Sequence, residues 1–246
     1  MKRLVMRLSD AEISYKNSSN LQGVLFENIS KDYAEFLHTQ QRHPYSQFIY
    51  KENEKLLWCV NALNDAAERE IIQPLLSESF GAFEIKKQNK KIQVLEKEVF
   101  EVKHQELVTD FYNSEPEHII RIEFITPTAF KQRGKYIFYP DLRLLYQSLM
   151  NKYSGILAEM EMLDEDILEM LAEKSEIKKY RLKSVLFPLE GISIPAFQGS
   201  VTIKINGADT IAAYARMLFR FGEFSGVGIK SAMGMGALKI QGDAKK

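Results

Sequence analysis

Apolar and basic positions alternate at the start of the chain, with Leu4, Met6 and Leu8 on one side and Arg3 and Arg7 on the other, which predicts a strand over Lys2–Leu8. Over 20–38 the period becomes helical. Leu21, Val24, Leu25, Ile29, Tyr33, Phe36 and Leu37 share one side, Asn20 is placed to cap the start, and His43–Pro44 marks the exit turn. Short apolar runs at 47–50 and 55–62 flank a polar turn and read as paired strands. A second helix follows over 64–76, capped by Asn64, and a strand-rich stretch over 82–103 turns at the polar run 86–91. The order is strand, helix, strand, strand, helix, strand, that of a ferredoxin-like unit.

The rest of the chain repeats that order with insertions. Strands are expected at 118–126, 134–138, 178–187, 199–205 and 237–241, with helices at 140–153 and 209–221. The pattern predicts an α+β fold of two tandem ferredoxin-like (RRM-like) βαββαβ domains, 1–114 and 115–246, joined in the polar stretch 113–116. A length of 246 residues suits two domains, each able to bury a core.

Charge changes the picture more than composition does. Lys plus Arg and Asp plus Glu are equal at 33 each, so no global basic field points to nucleic acid. The balance is uneven along the chain. Seven acidic residues and no Lys or Arg fall in 156–173, and from 174 onward there are twelve Lys or Arg against five Asp or Glu. The acidic run 163–172 carries an Ile167, Leu168, Leu171 stripe and reads as an exposed amphipathic helix rather than a Mg²⁺ site. One cysteine, Cys59 in an apolar run, excludes a disulfide framework and a cysteine-rich zinc site. Arg7 interrupts the apolar run expected of a signal peptide, and no window has the length of a membrane span. A soluble, cytoplasmic protein is expected, with no membrane partner.

Five of the 13 glycines fall between Gly222 and Gly236, directly after the helix at 209–221. The stretch "GVGIKSAMGMG", 226–236, is neither a Walker loop, because Lys230 follows Ile229 and not glycine, nor a dinucleotide fingerprint, because Ser231 stands where its third glycine belongs. Glycines permit positive φ and close backbone approach, so the loop is either a tight bend or a nest of N–H groups for an anion, with Lys230 adding charge. Lys179, Arg181 and Lys183 alternate along a predicted strand and share one face, a second candidate surface for phosphates.

The paired Gly-x-Gly motif, with five residues including a basic one between the pairs, resembles the C-terminal signature of CRISPR-associated RAMP proteins. "LQGVLFENI" at 21–29 with "FLH" and "HPYSQF" after it, and "TPTAF" at 126–130 followed by "YPDLRLLYQSLMNKY", are similar to one branch of them, the endoribonuclease that cuts CRISPR precursor RNA inside each repeat. The resemblance spans nearly the whole chain. It implies CRISPR repeat RNA as substrate and partner, with effector-complex proteins and a homodimer as further partners, and no cofactor. It implies metal-independent cleavage in which a ribose 2′-OH attacks the adjacent phosphate and leaves a 2′,3′-cyclic phosphate. A histidine at the end of the first helix is the general base in many members, which places that role on His38. His43 stands where some members have a lysine, and Arg42 is the alternative cation; Phe26 occupies a position where some members have tyrosine. Gly226, Gly228, Lys230, Gly234 and Gly236, with Lys179, Arg181 and Lys183, are the expected RNA-binding set. His104 and His118 read as ordinary strand residues, and the four histidines have no metal-ligand spacing. Two other readings are a non-catalytic RNA-binding RAMP subunit and a ferredoxin-like small-molecule module.

Overall fold

The computed structural model describes residues 1–9, 12–86, 89–156, 164–189 and 191–242. Strand β1 (Lys2–Leu8) lies inside a five-stranded antiparallel sheet with β2 (Tyr45–Glu52), β3 (Lys55–Ala62), β4 (Ala82–Ile85) and β5 (Lys90–Glu101), in the order β2-β3-β1-β5-β4. The alternation at the start of the chain sets the register. Leu4, Met6 and Leu8 are buried against the helices, while Arg3, Val5 and Arg7 face the open side. The β2–β3 turn places Asn53 and Glu54 at φ +47° and +61°, as a two-residue hairpin requires.

The helix expected over 20–38 is two helices, α1 (Ser18–Glu27) and α2 (Lys31–Thr39). Asn28 stops the first by donating Nδ2 to Val24 O, and Ser30 starts the second by accepting from Tyr33 N–H. Asn20 therefore lies inside α1 and caps nothing; the chain enters through a 3₁₀ turn at Tyr15–Asn17 closed by a capping box from Ser14. Asn64 does cap its helix, accepting from Ala67 N–H. That helix runs as α3 (Asp65–Ala67), a π segment (Glu68–Ile72) and α4 (Gln73–Leu76), with Pro74 removing one donor from the ladder.

Helix α5 (His104–Asn113) was not expected: His104 opens a helix, where a strand was predicted. Its Leu107 packs with Tyr153, Met217 and Phe221 from the second half. There, β6 (Ile119–Thr128), β9 (Ser175–Leu189), β10 (Ile192–Ile205) and β11 (Leu238–Ile240) form an antiparallel sheet in the order β11-β6-β10-β9. A small hairpin of β7 (Phe130–Gln132) and β8 (Lys135–Ile137) leads into α6 (Leu142–Ile156); α7 (Glu165–Lys174) and α8 (Asp209–Ser225) complete the layer. Setting β4 aside as an extra edge strand, the two sheets share one topology, the tandem ferredoxin-like arrangement of the α+β expectation. Each has its own core, one around Trp58, Leu21 and Ile71, the other around Tyr146, Phe219 and Phe124. The acidic run sits on α7 in part, with Leu168 and Leu171 buried; Leu163 lies outside the described residues. No helix among the described residues is long and apolar enough to cross a membrane.

Candidate active site

The glycine loop begins where α8 ends. Gly226, at φ +63°, takes the chain out of the helix, and its N–H still reaches Gly222 O at 2.8 Å. The loop is then sewn to β6 and to itself: Val227 N–H donates to Gly236 O at 2.8 Å, Ile229 N–H to Ala129 O at 3.0 Å, and Gly236 N–H to Pro127 O at 2.9 Å. Gly228 and Gly236 both have φ +73°, and an added Cβ would lie 2.3 Å from Ala129 O and 1.9 Å from Val227 O respectively. The N–H groups of 226–229 and 233–237 all go to protein acceptors. The anion nest considered from the sequence does not form over those stretches. The glycines serve close backbone packing, and charge at this place comes from side chains.

At the tip of the loop Lys230 adopts the left-handed conformation, φ +58°, and opens a 3₁₀ turn at Ser231–Met233. This turn docks on the first half of the chain. Gln47 Nε2 donates to Ala232 O at 3.2 Å and to Ser18 O at 3.0 Å, and Gln47 Oε1 accepts from Trp58 Nε1 at 2.7 Å. All three bonds are buried, so the tip is fixed in a low-dielectric setting.

Docking closes a pocket of about 440 Å³. Arg42 and His43 line it from the exit of α2, Lys131 from β7, Lys152 from α6, and Lys230 and Ser231 from the loop. Four Lys or Arg side chains and no carboxylate face it among the described residues. Such a wall suits an anion. Arg42 lies along α6, donating to Asn151 Oδ1 at 3.2 Å over Gly155, where an added Cβ would meet its Nη1 at 3.0 Å. Lys152 Nζ donates to Ser225 O, Gly226 O and Ser231 Oγ at 3.2, 3.1 and 2.9 Å. Burial pushes its ammonium down to about 7, while the two carbonyls it serves favour the charged form.

The two candidate histidines differ in setting. His43 is half-buried, edge-on to Tyr45 at 5.6 Å, with Nδ1 enclosed and without a partner. Burial, then Lys230, then His38 push its pKa below the usual value, so His43 is neutral at pH 7 and lies within electrostatic reach of both. His38 is exposed in the last turn of α2, its ring tilted against Phe26 at 5.2 Å. Tyr45 opens β2 and is taken up by the fold. Its hydroxyl is buried in β2 and accepts from Gln22 Nε2 at 2.9 Å, and burial raises its pKa. Ser46 is likewise spent, bonded to Phe224 O and to Asn61 Nδ2.

The remaining candidates lie elsewhere. Lys179, Arg181 and Lys183 do share one face of β9, paired with Thr202, Ser200 and Gln198. They line no part of the histidine pocket: Lys179 and Arg181 border a hollow of about 470 Å³ on the open sheet face, and Lys183 a cleft of about 650 Å³ between the two sheets. The part of the β9–β10 hairpin that does reach the loop is apolar, with Phe187, Ile194 and Ala196 packed on Met235. His104 bonds Tyr153 Oη, and His118 bonds Ile205 O and Asp209. Among the described residues no three His, Cys, Asp or Glu side chains gather to hold a metal.

Residues 122–238 match the family described as CRISPR-associated endoribonuclease Cas6. A Cas6 of Streptococcus thermophilus is 37% identical over 223 residues, covering 89% of each chain. The chain belongs to the Cas6 family. A Cas6 of Mycobacterium tuberculosis is 36% identical over 223 residues, 90% of this chain and 71% of the relative. A solved Cas6 product complex superposes with a TM-score of 0.80 at 18% identity, over 98% of this chain and 100% of that one, and so shares the fold.

Within this Cas6 chain, sequence reasoning missed the contribution of α6. Ser148, Asn151, Lys152 and Gly155 form a polar stripe at helical spacing, and Leu145, Tyr146, Leu149, Met150 and Tyr153 are buried. Ser148 Oγ accepts from Gly228 N–H at 2.8 Å. The signal was in the sequence as a polar stripe on an otherwise apolar helix.

Proposed function

We propose that the protein binds CRISPR repeat RNA and cuts it without a metal ion, by attack of a ribose 2′-OH on the adjacent phosphate. The observation that carries this reading is the pocket itself: Arg42, Lys131, Lys152 and Lys230, no carboxylate among the described residues, and His43 inside it with His38 close by. His38 takes the 2′-OH proton. Its ring is exposed, held by Phe26 and free of protein hydrogen bonds among the described residues, so it can meet a substrate without breaking a contact. The 2′-oxygen bonds to phosphorus, the bond to the 5′-oxygen breaks, and that oxygen takes a proton from solvent. The products are a 2′,3′-cyclic phosphate and a 5′-OH. Lys230 and Arg42 supply positive charge to the pentacoordinate phosphate, and neutral His43 lies beside them. Lys179, Arg181 and Lys183 serve RNA phosphates away from the cut, since they border other cavities. Repeat RNA incubated in excess EDTA tests the reading: cutting continues, and the ends are cyclic phosphate and 5′-OH. Activity that returns only on adding Mg²⁺ or Mn²⁺, or ends of another type, would overturn it.

A further inference from the structure

Ser231 lines the pocket beside Lys230 and accepts a hydrogen bond from Lys152 Nζ at 2.9 Å. In the charged form, which the carbonyls of Ser225 and Gly226 favour, the Lys152 ammonium only donates, so it occupies a lone pair of Oγ and turns the hydroxyl proton away from itself. No protein acceptor takes that proton among the described residues, and the side chain is half-buried at the pocket wall, so the direction left open is the cavity. Lys152 has little freedom to do otherwise. It also donates to Ser225 O and Gly226 O, at 3.2 and 3.1 Å. One helical turn earlier Ser148 holds Gly228 N–H at 2.8 Å. The α6 stripe thus fixes the loop at both ends of the stretch from Gly226 to Ser231, and with it the position of Oγ.

We infer that Ser231 is a further catalytic residue, its hydroxyl donating to a non-bridging oxygen of the scissile phosphate, and that Lys152 acts on it as a positioning residue. The inference rests on the reading of this pocket as the place where RNA is cut. As phosphorus becomes pentacoordinate, negative charge grows on the equatorial oxygens. A hydroxyl already aimed at one of them holds that state more tightly than the ground state and needs no reorganisation.

The test is single-turnover cleavage by wild type, Ser231→Ala, Ser231→Thr and Lys152→Met, with RNA affinity and melting temperature measured on each. Substrates carry sulfur in place of one or the other non-bridging oxygen at the mapped cut. Ser231→Ala should cut on the order of 10²-fold more slowly with affinity within a few-fold of wild type, and Ser231→Thr should keep most of the rate. Sulfur at one of the two positions should slow wild type, and that penalty should shrink in Ser231→Ala, which a merely structural serine would not cause. Lys152→Met should lose rate in the same way, and adding it to Ser231→Ala should cost little more. The serine pair decides the matter even where Lys152→Met fails to fold. Wild-type cutting with an equally fast Ser231→Ala, or equal sulfur penalties in the two, overturns the proposal alone. A wild type that leaves the repeat intact overturns the reading beneath it as well, so the two failures are told apart.

Discussion

A methyl group on Gly236 would sit 1.9 Å from Val227 O, at a φ of +73°. Neither the overlap nor the dihedral is relieved by a rotamer change, because both belong to the backbone. Gly236→Ala should therefore destabilise the protein by about 2–4 kcal/mol or more, adding left-handed strain to steric overlap. Thermal unfolding measures this; a melting temperature within a degree of wild type would contradict it. The same argument separates the loop's residues by role. Its glycines shape the backbone, and Lys230 and Ser231 present the chemistry. A sequence motif cannot make that separation, since the spacing of glycines is the same whether their N–H groups face an anion or a neighbouring carbonyl.

At the scale of elements, His118 joins the approach to β6 with the end of β10 and the start of α8. Its Nδ1 lies 2.8 Å from Ile205 O and its Nε2 3.0 Å from Asp209 Oδ1. The bond to the carbonyl, then the one to the carboxylate, raises its pKa. A raised folded-state pKa means a contribution fully present below about pH 6.5, the unfolded value, and lost as pH climbs through the folded value. The stability difference between wild type and His118→Gln should accordingly be larger at pH 5.5 than at pH 8.5 in denaturant titrations; a difference that grows with pH would contradict this. The two sheets and their helices were legible in the sequence because alternation and helical period each bury one face. What the period could not show was the break between α1 and α2. The apolar stripe from Leu21 to Leu37 runs on unbroken, and Asn28 and Ser30 end and restart the helix through hydrogen bonds. Helix α5 was missed for a related reason. Few of its residues are buried, and the buried partners of Leu107, which are Tyr153, Met217 and Phe221, lie in the other half of the chain. The histidines and Lys230 were legible as candidates; Lys152 and Ser231 were not, because their meaning arises from a contact between residues 79 positions apart.

On the scale of the whole molecule, the site exists because the two halves meet in one way. Arg42 and His43 come from one half and Lys230 and Ser231 from the other, and a buried polar seam registers them. Arg3 Nε donates to Asn61 Oδ1 at 2.8 Å, Asn61 Nδ2 to Ser46 Oγ at 2.8 Å, and Ser46 Oγ to Phe224 O. Gln47 completes the seam under the loop tip. Gln47→Leu would leave Trp58 Nε1, Ser18 O and Ala232 O buried without this partner, at about 1–3 kcal/mol for each group left unpaired. Stability should fall, and cleavage should slow even where the variant remains folded; a folded Gln47→Leu cutting at the wild-type rate would contradict the role of the seam. The claim on which the account turns is that His38, brought to this junction on α2, takes the proton of the attacking hydroxyl. Single-turnover cleavage of repeat RNA by His38→Ala, with His43→Ala and the double variant beside it, tests it most directly. The account predicts a loss of about 10²- to 10⁴-fold for His38→Ala, with RNA affinity within a few-fold of wild type. Cleavage by His38→Ala at the wild-type rate, with His43→Ala inactive, would contradict it and move the base into the pocket.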